Sequence, residues 1–383
     1  MSGRKWIYAG AAVVIVSAAI FWQQRTRNWP APDASPPVAD SLLNIPLSRT
    51  VAARQEFLRV YRASRQTQRP ALYAKFLPLI GANGIREALE KANRYCHAEA
   101  HDLGKLIFAR LHDVGQSLES CADACSSGCM HGVLMEFFTS AESTATSTHQ
   151  DMASGGHVHS AQLTAGDVAQ RIPTFCESPA VTRMYGPGDC AHGVGHAAMF
   201  LSNYKIKDAM DLCERFTVYG LRFYCATGAY MEYRIQPRFQ LEYWQHGPFF
   251  PCENSPYPAA CFRYVLTSSI RWHYAQGGTI ETLASKCSGL AGKFRIGCFH
   301  GIGFAHIPQL QRGQRTLAQV CGLGSRDDQT VCLEGAMEHL GQFNTSVPPE
   351  RCESLTDWRR EVCRAAAARQ KYDLGKSFAL YQR

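Results

Sequence analysis

Apolar and polar positions divide the chain into three kinds of segment. An uncharged apolar run fills residues 6–22, with Trp6 and Trp22 at its ends and basic Arg4 and Lys5 ahead of it. The run is slightly short for a membrane span, which needs about 20 residues. The small-residue pair Ser17 and Ala19 lies inside it, a poor place for cleavage. The terminal tryptophans suit interface anchors. The segment is read as a single-pass anchor with its N-terminus in the cytoplasm, in preference to a cleaved signal peptide. The following stretch, "NWPAPDASPPVAD", is rich in proline and small residues and predicts a spacer between membrane and domain. Beyond it, short helical segments alternate with glycine-containing turns. They are interrupted once by the polar, low-complexity stretch "TSAESTATSTHQDMASGGHVHSAQLTA" at 139–165, a long loop inserted between units.

Cysteines give that alternation a period. One series falls at 190, 225, 261, 298, 332 and 363, in steps of 35, 36, 37, 34 and 31 residues. A second, at 176, 213, 252, 287, 321 and 352, runs 9 to 14 residues ahead of the first. Six consecutive units result, pairing Cys176 with Cys190, Cys213 with Cys225, Cys252 with Cys261, Cys287 with Cys298, Cys321 with Cys332 and Cys352 with Cys363. Each unit reads as a helical hairpin. In "TIETLASKCSGLAGKFRIGCFHGIGFAHI", Thr279 caps a short helix carrying Cys287, a turn follows, and a second helix carries Cys298. One cysteine on each helix is placed to bridge the two, and closing so short a loop contributes about 2 to 3 kcal/mol in the chain-entropy model. Upstream the register blurs. Cys96, Cys121, Cys125 and Cys129 leave three connectivities open.

A two-helix period near 35 lies in the range of tetratricopeptide and Sel1-like arrays. The construction resembles the disulfide-stapled Sel1-like repeat proteins of bacteria over roughly residues 165–370, in architecture alone. The resemblance implies an all-α fold of stacked helical hairpins, an α-solenoid with intra-hairpin disulfides behind one N-terminal helix. The expected organisation is an anchor at 1–27, a linker at 28–50, N-terminal helical units at 51–138, the polar loop at 139–165, stapled repeats at 166–372 and a C-terminal tail at 373–383. A content of 46% hydrophobic and 11% aromatic residues supplies a large core. The formal charge of +8 is scattered and forms no basic block, which argues against a nucleic-acid partner. Sixteen cysteines, none within the apolar run, fit a disulfide framework in a periplasmic or extracellular domain.

Aligned on the second cysteine, the units share two further positions. Three residues after it stands Gly132, Gly193, Gly228, Gly301 or Gly335, in five of seven units. Glycine inside a helix costs about 1 kcal/mol relative to alanine, so something must come close: a neighbouring hairpin, or a ligand in the space left open. Two residues after the cysteine stand His131, His192, Thr227, Arg263, His300 and Glu334. Such a polar row beside buried cysteines needs partners in itself, in water or in a metal.

Histidines make the metal specific. The phrase Cys-x-His-Gly recurs in "CMHGVLMEFF", "CAHGVGHAAMF" and "CFHGIGFAHI", and "YCHAEAHDLGK" places His97 and His101 four apart, as "HGVGH" does His192 and His196. On a helix that spacing sets both imidazoles on one face, where they can share an ion. The first-choice ligands are His97, His101, His131, His192 and His196, with His300, Glu99 and Glu136 as secondary candidates. Glu232, Glu334, Glu338 and His339 are further donors, and His149, His157 and His159 lie in the polar loop. Imidazole with carboxylate selects copper, zinc or iron over calcium or magnesium.

No Cys-x-x-Cys-His run exists, which disfavours covalent c-type haem. "HAEAH" departs from the His-Glu-x-x-His metalloprotease helix, and no P-loop or Gly-x-Ser-x-Gly elbow appears. Two functions remain. The first is a membrane-anchored protein with a histidine-rich transition-metal site, for metal handling or metal-dependent oxidation with Glu99 or Glu136 as base. The alternative is a non-enzymatic scaffold binding a protein or peptide in the cell envelope, with Arg263, Tyr243 and Trp244 as anchors. In that case the aromatic stretch "RFQLEYWQHGPFFPCENSPYPAACFRY" packs on the array or lines its binding surface.

Overall fold

The computed structural model describes residues 45–93, 95–121, 125–144, 170–172, 174–182, 185–343 and 349–383. The apolar run at 6–22, the proline-rich spacer and the three loop histidines lie outside them. Among the described residues every regular element is helical, and no helix is long and apolar enough to cross a membrane. Ten helices of eleven residues or more form the frame: α1 Val51–Ala63, α2 Arg69–Ala92, α3 His97–Leu111, α4 Gly128–Thr144, α5 Pro187–Leu201, α6 Tyr219–Arg234, α7 Pro258–Ala275, α8 Gly292–Ala305, α9 Arg326–Phe343 and α10 Asp357–Ala367. Each packs on the next along the chain. Helix α4 continues to Thr144, across the start of the polar stretch.

The second cysteine of each unit sits on one of these long helices. Short helices Ile206–Cys213, Ile280–Ser288 and Leu317–Cys321 bring the first cysteine up to α6, α8 and α9. Thr279 and Thr316 cap the last two, their hydroxyl oxygens accepting from the backbone N–H of Thr282 and Gln319 at 3.2 Å. Before α7 and α10 the expected helix is absent. Cys252 and Cys352 lie instead in the single 3-10 turns Cys252–Asn254 and Pro349–Cys352. Pro251 and Pro256 bracket the first, and Pro348 and Pro349 lead into the second; lacking an N–H, proline cannot sustain helix there.

All six spaced cysteine pairs are bonded between nearby elements. The open connectivity resolves as Cys96–Cys125 and Cys121–Cys129. Eight disulfides with no free cysteine indicate an oxidising, non-cytoplasmic compartment.

The glycines on the long helices allow backbones to touch. A Cβ on Gly228 of α6 would lie 1.9 Å from the carbonyl oxygen of His192 in α5, and one on Gly195 of α5 would lie 1.9 Å from that of Cys225 in α6. Gly104 and Gly132 join α3 to α4 in the same reciprocal way, and Gly303 and Gly335 join α8 to α9. At Gly193 the space is taken by His131 and Leu134, and at Gly301 by Phe262. The expected alternative of ligand space beside these glycines is therefore overturned, because neighbouring helices fill it.

The polar row turns inward. His131, His192, Thr227, Arg263, His300 and Glu334 are all buried. Arg263 and His300 share Glu338, at 2.8 and 3.2 Å. The chain end supplies further partners: Arg369 pairs with Glu334 at 2.9 Å, the Tyr381 hydroxyl donates to Glu334 at 2.5 Å, and Lys376 bonds Glu338. Residues 373–383, set apart in the sequence as a tail, thus fold back over the row.

Buried histidines give the fold a pH dependence. His306 has no exposed surface; its Nδ1–H donates to the Ile302 carbonyl at 2.7 Å and its Nε2 accepts from the Tyr274 hydroxyl at 2.6 Å. Burial pushes its pKa down from 6.5 to about 4. Between those values the unfolded chain takes up a proton that the native state refuses. The stability this group confers is complete above pH 6.5 and is lost as pH falls toward 4, at up to about 1.4 kcal/mol per pH unit. Denaturant melts of the native protein and of His306→Asn across this range should show a shallower slope in the variant; identical slopes would refute the assignment.

Candidate metal centre

Helices α3, α4 and α5 are consecutive in the packing order, and each contributes to one histidine cluster. The four-residue spacing sets His97 and His101 on one face of α3 and His192 and His196 on one face of α5, with His131 of α4 between. His97, His101, His131 and His196 each offer one ring nitrogen, and the four atoms lie within 4.8 Å of one another. His101 Nε2 is 3.1 Å from His97 Nε2, and His131 Nδ1 is 3.5 Å from the same atom. His192 Nε2 lies 3.3 Å from His196 Nε2, its single nitrogen contact with the group. All five side chains are buried, His101 the most open at 9%.

The outward nitrogens settle where the protons are. His97 Nδ1 lies 3.2 and 3.1 Å from the carbonyl oxygens of Cys125 and Ser126, which can only accept, so Nδ1 carries the hydrogen and Nε2 faces inward bare. His131 Nε2–H donates to Asp189 Oδ1 at 3.1 Å, leaving Nδ1 bare. His196 Nδ1–H donates to Glu232 Oε2 at 3.1 Å. His192 Nδ1 lies 2.7 Å from Thr227 Oγ1, whose own hydrogen goes to the Tyr224 carbonyl at 2.6 Å, so His192 is the donor. Bare nitrogens of His97, His131, His192 and His196 thus face the buried interior, while His101, which meets His97 Nε2 at 3.1 Å, has no far-side partner among the described residues that fixes its tautomer. Burial and the neighbouring imidazoles push His97, His101 and His192 well below the usual histidine range. Burial also lowers His131, though Asp189 opposes it. Neutral imidazoles are the form that binds metals.

The donor set fits an ion. Tetrahedral coordination with metal–nitrogen bonds of about 2.05 Å places ligand nitrogens about 3.3 Å apart; the His97–His101 and His97–His131 separations of 3.1 and 3.5 Å lie near that value, and the whole group spans up to 4.8 Å, so an ion would draw the rings inward. Two carboxylates stand behind the ligands, Asp189 on His131 and Glu232 on His196. This carboxylate–histidine arrangement fixes the ring and raises its basicity. Asp189 is held in turn by the Ser127 hydroxyl at 2.5 Å and the Lys371 ammonium at 3.0 Å. The Tyr372 ring stacks on His192 at 4.6 Å. A buried four-histidine group able to hold a metal ion is therefore present.

Four of the five first-choice ligands are brought together, and the fifth adjoins them. The secondary candidates are elsewhere. His300 pairs with Glu338, Glu99 pairs with Arg69 at 2.9 Å, and Glu136 is half-buried, its carboxyl raised by burial, near Lys105 and His112. Glu334, Glu338 and His339 also stay with the charged row or with the Phe304 carbonyl. Sequence reasoning missed Asp189, Lys371 and Tyr372. Asp189 stands one residue before Cys190, but no spacing links it to His131, 58 positions away. Comparison with known proteins finds no match to this chain, whether among family models, curated proteins or solved structures.

Proposed function

We propose that this chain is an exported metal-holding protein. Residues 1–27 anchor it in the membrane, and a solenoid of disulfide-stapled helical hairpins outside the cytoplasm encloses one copper, zinc or iron ion at His97, His101, His131 and His196, with His192 beside them. The observation that carries the reading is the convergence of four buried histidine nitrogens within 4.8 Å of one another, three of the rings, those of His97, His131 and His196, being fixed by a partner on the far side. Lone pairs so arranged repel one another unless a cation lies between them. The liganding rings are at most 9% exposed, and the carboxylates that reach them hold rings and leave no free base. Metal handling is thus better supported than metal-dependent oxidation, since Glu99 and Glu136 lie outside the cluster and a catalytic site keeps an open position.

The test is elemental analysis of the soluble domain, exported so that its disulfides form, purified without a histidine tag and dialysed against a mild chelator. One retained equivalent of ion, lost in His97→Ala/His196→Ala while the fold persists, is the expected result. A folded, fully oxidised protein that retains none sinks the proposal. The scaffold reading rests on a different observation, the exposure of Ile235, Leu241 and Trp244 at 58%, 59% and 53% within one ten-residue stretch. A protein or peptide bound there would remain bound when the cluster histidines are replaced.

A further inference from the structure

A cavity of about 270 Å³ opens where α6 ends, between the helix Pro237–His246 and α7. Arg234, Gln236, Phe239, Ser268, Arg271 and Trp272 line it, and no carboxylate does. Some partly buried arginines of this chain are matched to acids, as Arg54 is with Glu87, Arg69 with Glu99 and Arg263 with Glu338, and others, such as Arg86 and Arg360, donate to backbone carbonyls. Neither Arg234 nor Arg271 forms an ion pair with a described residue. The Arg234 Nε is buried with no hydrogen-bond partner, and the guanidinium's close neighbour is the face of Tyr264, 5.9 Å away. Burial pushes the Arg234 guanidinium below its ordinary range. Tyr264 and Glu232 oppose that shift, neither of them pairing with the guanidinium directly.

Two planar guanidinium groups on one cavity present the forked donors that match carboxylate or phosphate oxygens. The Ser268 hydroxyl and the Gln236 amide add neutral donors. The apolar side is the Trp272 ring, backed by the buried ring of Phe239 5.9 Å away and tilted from it by 34°. Such a site combines an apolar surface with a few convergent polar groups, and its volume, just under that of common ligand pockets, limits it to a small molecule.

We propose that this cavity binds a small organic anion, its carboxylate or phosphate held between Arg234 and Arg271 and its flat body laid against Trp272. The site is separate from the histidine cluster and requires no ion there, so the test uses the soluble domain both as purified and after metal removal. Calorimetric titrations with benzoate and with phenyl phosphate separate the two anionic groups on the same flat body, and benzamide is the uncharged control. The expected result is saturable one-to-one binding of at least one anion at about millimolar affinity or better, no binding of benzamide, and at least a tenfold weaker affinity in Arg271→Gln. Arg271 is exposed, so that variant keeps the fold. Absence of saturable binding for both anions, or affinities unchanged in Arg271→Gln, overturns the proposal whatever the metal content proves to be.

Discussion

Replacing Asp189 by alanine is expected to lower the stability of the metal-free protein by about 3 kcal/mol and to weaken ion retention about 10- to 100-fold. Asp189 is 3% exposed and joins three partners: it accepts from His131 Nε2 at 3.1 Å and from the Ser127 hydroxyl at 2.5 Å, and it pairs with Lys371 at 3.0 Å. Burial alone would raise its carboxyl, but Lys371, His131 and Ser127 together hold it well below the usual carboxylate range. Removing it takes the carboxylate from the Lys371 ammonium, whose side chain is only 18% exposed, and frees the ring of His131 to change tautomer. The first effect acts on folding, the second on the ion. Denaturant melts of stripped protein and competition against a chelator read them separately. Asp189→Asn, which keeps the shape but not the charge, should fall between the native protein and alanine in both. An alanine variant that holds its ion as tightly as the native protein would falsify the supporting role of Asp189.

A second large effect is expected from adding one methyl group. Gly132→Ala should destabilise the fold by about 3 kcal/mol and abolish ion binding. Alanine is the better helix former by about 1 kcal/mol, but its Cβ would lie 2.0 Å from the carbonyl oxygen of His101. That atom is backbone and cannot swing aside, so α3 and α4 must separate. His101 lies on one side of this contact and His131, beside Gly132, on the other; the separation needed to relieve the clash opens the cluster too. Gly186→Ala is the control, since a Cβ at Gly186 meets nothing within 4 Å. It should leave stability and ion retention nearly unchanged. Equal melts for the two variants would show that the close approach does not hold the helices in place.

What the chain shows by itself is set by interactions that are short in sequence. The pairing of Cys287 with Cys298, or Cys213 with Cys225, follows from hairpins whose arms are 11 and 12 residues apart, where only one partner is within reach. The shared face of His97 and His101, and of His192 and His196, follows from helical geometry alone. Proline explains why this local reading failed at Cys252 and Cys352, where a turn replaces a helix.

Tertiary structure decided the rest. Which of the repeated histidines meet depends on how α3, α4 and α5 lie against one another. That is set by backbone contacts at glycines, which the sequence marks as close approaches without naming the neighbour. The same Cys-x-His-Gly phrase therefore puts His131 and His192 in the cluster and His300 against Glu338. Cys96 has three candidate partners within 33 residues, and only the path of the chain selects Cys125. Asp189 and Lys371, 182 residues apart, meet because the chain end folds back over the long helices. Local spacing specifies faces and staples, whereas convergence of distant side chains depends on packing angles and long-range closure, which no short period in the sequence encodes.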